Sequence, residues 1–126
     1  MNRKSLDLRL QELGIYYQYY YKKELKPLAE ILEEDESLNC IFTGVEGGAR
    51  KLVAVTDRRI LIIQAGLLTA GGVKSIPAAF LKSAEYEKKL FFPKARIITE
   101  ENSFLFENVQ PGQKELFDWA MRRILP

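Results

Sequence analysis

The chain has 126 residues, enough for one domain that buries most of the surface its unfolded form exposes. Apolar residues make up 47% and charged residues 29%, a globular composition that argues against disorder. Nineteen basic and seventeen acidic side chains leave a net charge of +2, far below the basic excess of a dedicated nucleic-acid binder.

The sequence has no histidine and a single cysteine. Those counts exclude serine–histidine triads, histidine general acids, histidine-rich zinc sites and thiolate metal sites. Cys40 has no partner for an intrachain disulfide and no histidine to activate it, so it reads as a packed thiol in a reducing, cytoplasmic setting. No stretch approaches the roughly 20 apolar residues of a membrane helix. Met1-Asn2-Arg3-Lys4 runs into Asp7, Arg9 and Glu12, not into a signal-peptide core.

In chain order, Leu6, Leu10 and Leu13 recur at helical spacing until Gly14 interrupts them. Tyr16-Tyr17-Gln18-Tyr19-Tyr20-Tyr21 follows. Pro27 suits the first turn of a second helix, whose apolar stripe is Leu28, Ile31 and Leu32. Glu33-Glu34-Asp35-Glu36 opposes the dipole at that helix's C-terminal end and predicts its stop.

Strand patterns begin at Leu38. Residues 38–45 are rich in β-formers and Gly47-Gly48 marks a turn. Residues 51–56 and 59–64 are apolar, β-branched runs around the tight turn Thr56-Asp57-Arg58-Arg59. Val53 and Val55 face one way, Leu52 and Ala54 the other, so this hairpin must be covered on both faces, by the rest of the sheet and by a helix. Gly66 and Gly71-Gly72 bracket a loop, and residues 73–76 form a short strand ending at Pro77.

Residues 81–92 alternate in part, with Ala84 and Tyr86 on one face and Glu85 and Glu87 on the other, until Pro93 breaks the run. Residues 95–99 resume it, and Glu101-Asn102 turns into residues 103–107, where Phe104 and Phe106 share a face. Pro111 suits the first turn of a final helix with Leu116, Phe117, Ala120, Met121 and Ile124 in one stripe and Trp119 on its flank. Arg122 and Arg123 complement the dipole of its last turn.

The segment Leu52-Val53-Ala54-Val55-Thr56-Asp57-Arg58-Arg59-Ile60-Leu61-Ile62, preceded by a helix with an acidic end and a strand, resembles the bacterial pleckstrin-homology-like (PH-like) domains of the YokE-like group. The resemblance runs from Leu25 to Ile124. It implies an α+β fold: a strongly bent seven-stranded antiparallel sheet, or partly open barrel, capped by the C-terminal helix. Residues 1–24 would then be an N-terminal helical extension and 25–126 the PH-like domain. No enzymatic activity and no cofactor are implied.

Function is less legible. In the Thr-Asp-Arg-Arg turn, Asp57 is expected to accept from backbone N–H groups one or two residues on, and the arginines to pair with a carboxylate; an anion site is the alternative. Arg50 and Lys51 occupy about the place where lipid-binding PH domains hold inositol phosphates, but Glu46 stands beside them. Lys88, Lys89 and Lys94 flank Leu90, Phe91 and Phe92. The expected arrangement is a hairpin with packed aromatics and solvated lysines; the alternative is a loop tip that dips into an anionic membrane.

The tyrosine cluster carries the most weight, because no single helix face can bury Tyr16, Tyr17, Tyr19, Tyr20 and Tyr21 together. Tyrosine is favoured at protein interfaces for its large apolar body and polar tip. The sequence therefore reads as a non-enzymatic module that self-associates or binds a protein partner. Peripheral contact with anionic lipid is the second reading, and nucleic acid is excluded as a partner.

Overall fold

In the computed structural model, described for residues 1–64, 72–89 and 91–126, three helices precede seven strands and a closing helix. The helices are α1 (Arg3–Glu12), α2 (Tyr16–Tyr19), α3 (Leu25–Ile31) and α4 (Lys114–Ile124). The strands are β1 (Leu38–Glu46), β2 (Ala49–Thr56), β3 (Arg59–Gln64), β4 (Val73–Pro77), β5 (Leu81–Glu87), β6 (Lys94–Thr99) and β7 (Ser103–Phe106). Gly66 and Gly71, which the sequence places at a loop, and Leu90, which it places in the 81–92 run, lie outside the described residues.

The strands form two antiparallel sheets, ordered β1-β2-β3-β4 and β5-β6-β7. A bridge between Val45 and Glu107 joins them at one corner, and they do not close into a barrel. Close approach at that corner depends on Gly44. A Cβ there would lie 3.1 Å from the Glu107 carbonyl oxygen, from Phe106 Cβ and from Val109 Cγ2. The β1–β2 turn has Gly47 and Gly48 both at positive φ, as tight turns that match the twist of a hairpin require.

The double-sided hairpin finds its two covers. Val53, Val55, Ile60 and Ile62 face a core shared with Leu81, Ala95, Ile97 and Phe106 of the second sheet and with Phe117, Ala120, Met121 and Ile124 of α4. Leu52, Ala54, Leu61 and Ile63 face a second core filled by Leu6, Leu10, Ile15, Tyr19, Leu25 and Leu28. Strands β2 and β3 thus lie in the middle of three layers, buried on both sides, which is why they read as continuous apolar runs, whereas edge strand β4 is largely exposed. Residues 1–24 supply much of the outer layer. Arg9 fastens it by donating from Nε to the Leu38 carbonyl (2.7 Å) and from Nη2 to Asn39 Oδ1 (3.0 Å).

Three boundaries differ from the sequence expectation. Strand β5 stops at Glu87, which pairs with Lys94, so Lys88, Lys89, Phe91 and Phe92 belong to the β5–β6 connection and not to a strand. Strand β2 starts at Ala49, because the two-residue glycine turn lets pairing with β1 begin at once. Pro111 lies outside α4. Gly112 has φ +81°, which breaks the helical path, and Gln113 becomes the capping residue. Trp119 is half-buried against the first core, with the Arg123 guanidinium 4.7 Å from its ring centre.

If residues 1–24 are integral to folding, Leu10→Ala should lower global stability by about 2–4 kcal/mol, the usual cost of a buried leucine cavity. Chemical denaturation followed by circular dichroism measures this, with a single cooperative transition expected for both proteins.

Candidate functional site

The tyrosines part company in the structure. Tyr19 is fully buried in the second core, and its hydroxyl donates to Gln113 Oε1 at 2.8 Å. Gln113 Nε2 in turn donates to Gln18 Oε1 at 2.8 Å, so the N-terminal segment is pinned to the start of α4. Burial drives the Tyr19 phenol upward in pKa, and it stays protonated as a structural donor. Tyr19 therefore leaves the set of candidate contact residues.

The other four rings form a surface ladder. Tyr16 is half-buried and stacks on Tyr20, with centroids 5.5 Å apart and planes 22° from parallel. Tyr17 meets Tyr16 edge-on at 5.3 Å, and Tyr21 meets Tyr20 edge-on at 5.7 Å. Tyr17 is 84% exposed, Tyr21 61% and Tyr20 48%. Each ring thus restrains its neighbour while its free face meets water.

The two basic residues near the β1–β2 turn, Arg50 and Lys51, line different surfaces. Lys51 Nζ lies 2.6 Å from Glu46 Oε1 and is largely covered. Across a recess of about 180 Å³, Lys74 Nζ rests 5.0 Å above the Phe104 ring. Both cations are already engaged. Arg50 points elsewhere, to a surface it shares with Phe91 and Phe92.

At the β5–β6 loop the packed-aromatic expectation fails. Phe91 and Phe92 are exposed, because β5 ends five residues before Phe92 and leaves no strand to carry either ring into the core. Lys88 and Lys89 are exposed beside them, and Lys94 opens β6. Lys89 lies 4.0 Å from Glu87, and Lys94 4.0 Å from Glu107, both loose surface pairs.

Cys40 is fully buried, and burial pushes its thiol up to about 12, so it is neutral and inert at physiological pH. Glu85 and Glu87 share the outer face of β5 with Lys94 and Arg96 nearby, an exposed mixed-charge surface. No helix among the described residues is long and apolar enough to cross a membrane.

Comparison with known proteins now bears on this arrangement. The family model described as "Bacterial PH domain" matches residues 32–118. The chain belongs to the bacterial PH domain family. Among solved structures, the Vps36 N-terminal PH domain is similar to it, with a TM-score of 0.54 and 15% sequence identity. That match covers 75% of this chain and 83% of the other, and at such low identity it speaks for the fold alone. A search of curated proteins found no match.

In this bacterial PH domain the Thr-Asp-Arg-Arg turn is a latch. Glu36, whose side chain is fully buried, receives Arg59 through two parallel bonds, Nε to Oε2 at 2.8 Å and Nη2 to Oε1 at 2.9 Å. The Thr56 hydroxyl donates to Glu36 Oε2 at 2.7 Å while accepting from the N–H groups of Arg58 (3.1 Å) and Arg59 (3.0 Å). Arg59 Nη2 also donates to the Ile31 carbonyl at the end of α3. Arg58 pairs with Glu33 at 2.8 Å and with Asp35 at 2.5 Å.

Asp57 does not brace its own turn. Its Oδ1 accepts from the Ser37 N–H at 2.9 Å, and its N–H donates to the Ser37 carbonyl, so it ties the turn to the entry of β1. The paired arginines are thus engaged by carboxylates, and the anion-site alternative falls. In the sequence the 33–36 acidic run reads only as a helix stop. The complementary Arg58-Arg59 pair was the available signal that it is also a docking partner.

Burial alone would raise the Glu36 pKa, but Arg59, Thr56 and the Glu33 N–H together hold it below the ordinary value near 4.5. A carboxylate depressed in the folded state contributes stability above its unfolded pKa and loses it as pH falls through the folded one. Stability should therefore drop below about pH 4.5, where the unfolded chain binds more protons, and Glu36→Gln should flatten that part of the profile. Arg59→Ala strands the buried carboxylate and should cost about 2–4 kcal/mol at neutral pH, with the cost shrinking in acid. Urea unfolding of the three proteins across pH 3–7 measures both effects.

Proposed function

We propose that this bacterial PH domain is a non-enzymatic interaction module that works through protein contact, chiefly self-association through its tyrosine surface. The observation that carries the reading is the exposed ladder of Tyr17, Tyr20 and Tyr21 over half-buried Tyr16. Rings that already restrain one another lose little conformational freedom on binding, and each offers a broad apolar face with a hydroxyl at its edge. Residues 1–24 act as the addition that carries this surface, and residues 25–126 as the PH unit beneath it. A cytoplasmic setting agrees with the single thiol, and membership of the YokE-like group agrees with the Thr-Asp-Arg-Arg turn. The modest net charge gives no support to nucleic acid as a partner.

A second reading, contact with an anionic membrane surface, draws on a different feature. Exposed Phe91 and Phe92 with their neighbouring lysines favour it, and it does not depend on the tyrosines.

Deleting residues 1–24 would bare the outer face of β1–β3, so point variants are the cleaner test of self-association. Light scattering coupled to size exclusion should give a mass above one chain for the native protein, rising with concentration. The double variant Tyr17→Ser/Tyr21→Ser should run at the mass of a single chain with an unchanged thermal transition. A native protein that stays at one chain's mass up to its solubility limit would remove self-association.

A further inference from the structure

Strand β4 lies at the edge of its sheet, paired with β3 alone among the described strands. Hydrogen-bonded pairs alternate along an antiparallel ladder. The Ala78 N–H donates to the Arg58 carbonyl at 2.9 Å, so Ile76 and Lys74 turn their backbone groups to β3. Val73, Ser75 and Pro77 turn theirs to the open edge, where the described backbone bonds leave them unpartnered. The edge therefore offers N–H groups at Val73 and Ser75 and carbonyls at all three residues, and Pro77 ends the row of donors.

This edge forms one wall of a groove of about 360 Å³, and the β6–β7 turn and Phe80 form the rest. Thr99 fixes the turn. Its N–H donates to the Asn102 carbonyl at 2.8 Å, and its hydroxyl accepts from the Asn102 N–H at 3.0 Å. The Glu100 N–H donates to the Phe80 carbonyl at 3.1 Å, which holds the turn against the β4–β5 connection. Both walls are thus set before anything binds, which lowers the entropic cost of a contact. Phe80 is 52% exposed, and Ile76 and Phe104 add apolar surface to the lining.

Charge selects the occupant. Glu100 and Glu101 border the groove with no cation within salt-bridge distance among the described residues. Lys74, the cation in the lining, lies over the Phe104 ring. Free carboxylates beside a row of open backbone groups suit a strand that carries cations, arginine above all for its forked match to a carboxylate. Side chains of an added strand alternate between its two faces, so apolar residues against Ile76 and Phe104 would interleave with basic ones at the rim. A phosphate-bearing surface would meet the same carboxylates with like charge.

We propose that the β4 edge binds an extended segment of a partner protein in which apolar and basic residues alternate, added as a further strand to the β1–β4 sheet. Val73 and Ser75 supply the ladder bonds, Ile76, Phe80 and Phe104 the apolar contact, and Glu100 and Glu101 the charge. The edge is separate from the tyrosine surface, so a chain that does not self-associate still carries it.

Fluorescence anisotropy of a short labelled peptide of alternating arginine and valine, titrated with the full chain, tests this. Binding is expected, and little is expected for peptides in which proline replaces the central valine or glutamate replaces arginine. Ser75→Pro removes an edge donor without touching the β3 ladder, and Glu100→Lys/Glu101→Lys reverses the charge. Each should weaken binding by about tenfold or more, with thermal transitions near the native one. Hydrogen exchange on the native protein gives an independent readout. The Val73 and Ser75 amides should exchange faster than those of Lys74 and Ile76 in the free chain, and the peptide should slow them. Absence of binding by the arginine–valine peptide, or equal binding by its proline-interrupted form, would overturn the proposal. So would undiminished binding to Ser75→Pro, which marks simple electrostatic adsorption. Val73 and Ser75 amides that are already slow in the free chain, and slower as its concentration rises, would overturn it too and give the edge to a second copy.

Discussion

A fully buried carboxylate, Glu36, sits between Arg59, Thr56 and the end of α3, and the three-layer arrangement turns on how it is satisfied. An ion taken out of water costs several kcal/mol unless its lone pairs are met by donors of good geometry. Here two guanidinium bonds and a hydroxyl meet them, and the donors come from the turn between β2 and β3. These bonds form only when the end of α3 meets the β2–β3 turn as it does here. Asp57 and Ser37 extend the same junction to the first residues of β1. Apolar packing supplies most of the driving force, but it is non-directional. The latch adds directional contacts at the junction of the two layers.

Once the outer layer is docked, its composition becomes intelligible. A helical segment lying on an apolar sheet face must direct some residues inward and leave others in water. Tyr19 goes inward, where Gln113 satisfies its hydroxyl, and Tyr17 and Tyr21 go outward. The contrast within a run of five tyrosines follows from the position of a single helical turn, α2, on the sheet. Its consequence is a compact aromatic surface on a support that is itself bonded to α4 through Gln113 and Gln18. The tip at Phe91 and Phe92 is a separate surface on a separate sheet, so each can be altered without disturbing the other. With a net charge of +2 the protein as a whole has little long-range pull on anions, and any electrostatic preference must arise locally.

Much of the fold was legible in the sequence because its signals are local and periodic. The two-faced apolar hairpin required two covers, the glycine pair required a tight turn, and the stripe in α4 required a sheet to lie on. The Thr-Asp-Arg-Arg segment pointed to the bacterial PH family, and the family match across residues 32–118 agrees. Boundaries at α4 and β5 were missed for a shared reason. Proline and alternation describe what a segment tolerates, whereas the positive φ at Gly112 and the Glu87–Lys94 pairing depend on neighbours distant in sequence.

What the sequence determined by itself was the order of elements, the PH-like class, the exclusion of histidine and thiolate chemistry, and the hairpin turn as a landmark. Composition and periodicity suffice for these, since each is a property of a residue and its near neighbours. Tertiary structure alone decided the partners. It gave Arg58 and Arg59 to the 33–36 carboxylates, gave Lys51 to Glu46, buried Tyr19 while leaving Tyr17 exposed, and turned Phe91 and Phe92 to solvent. Each of those outcomes is a contest between burial, charge pairing and solvation across long sequence separations, and only the assembled fold brings the competing groups within reach.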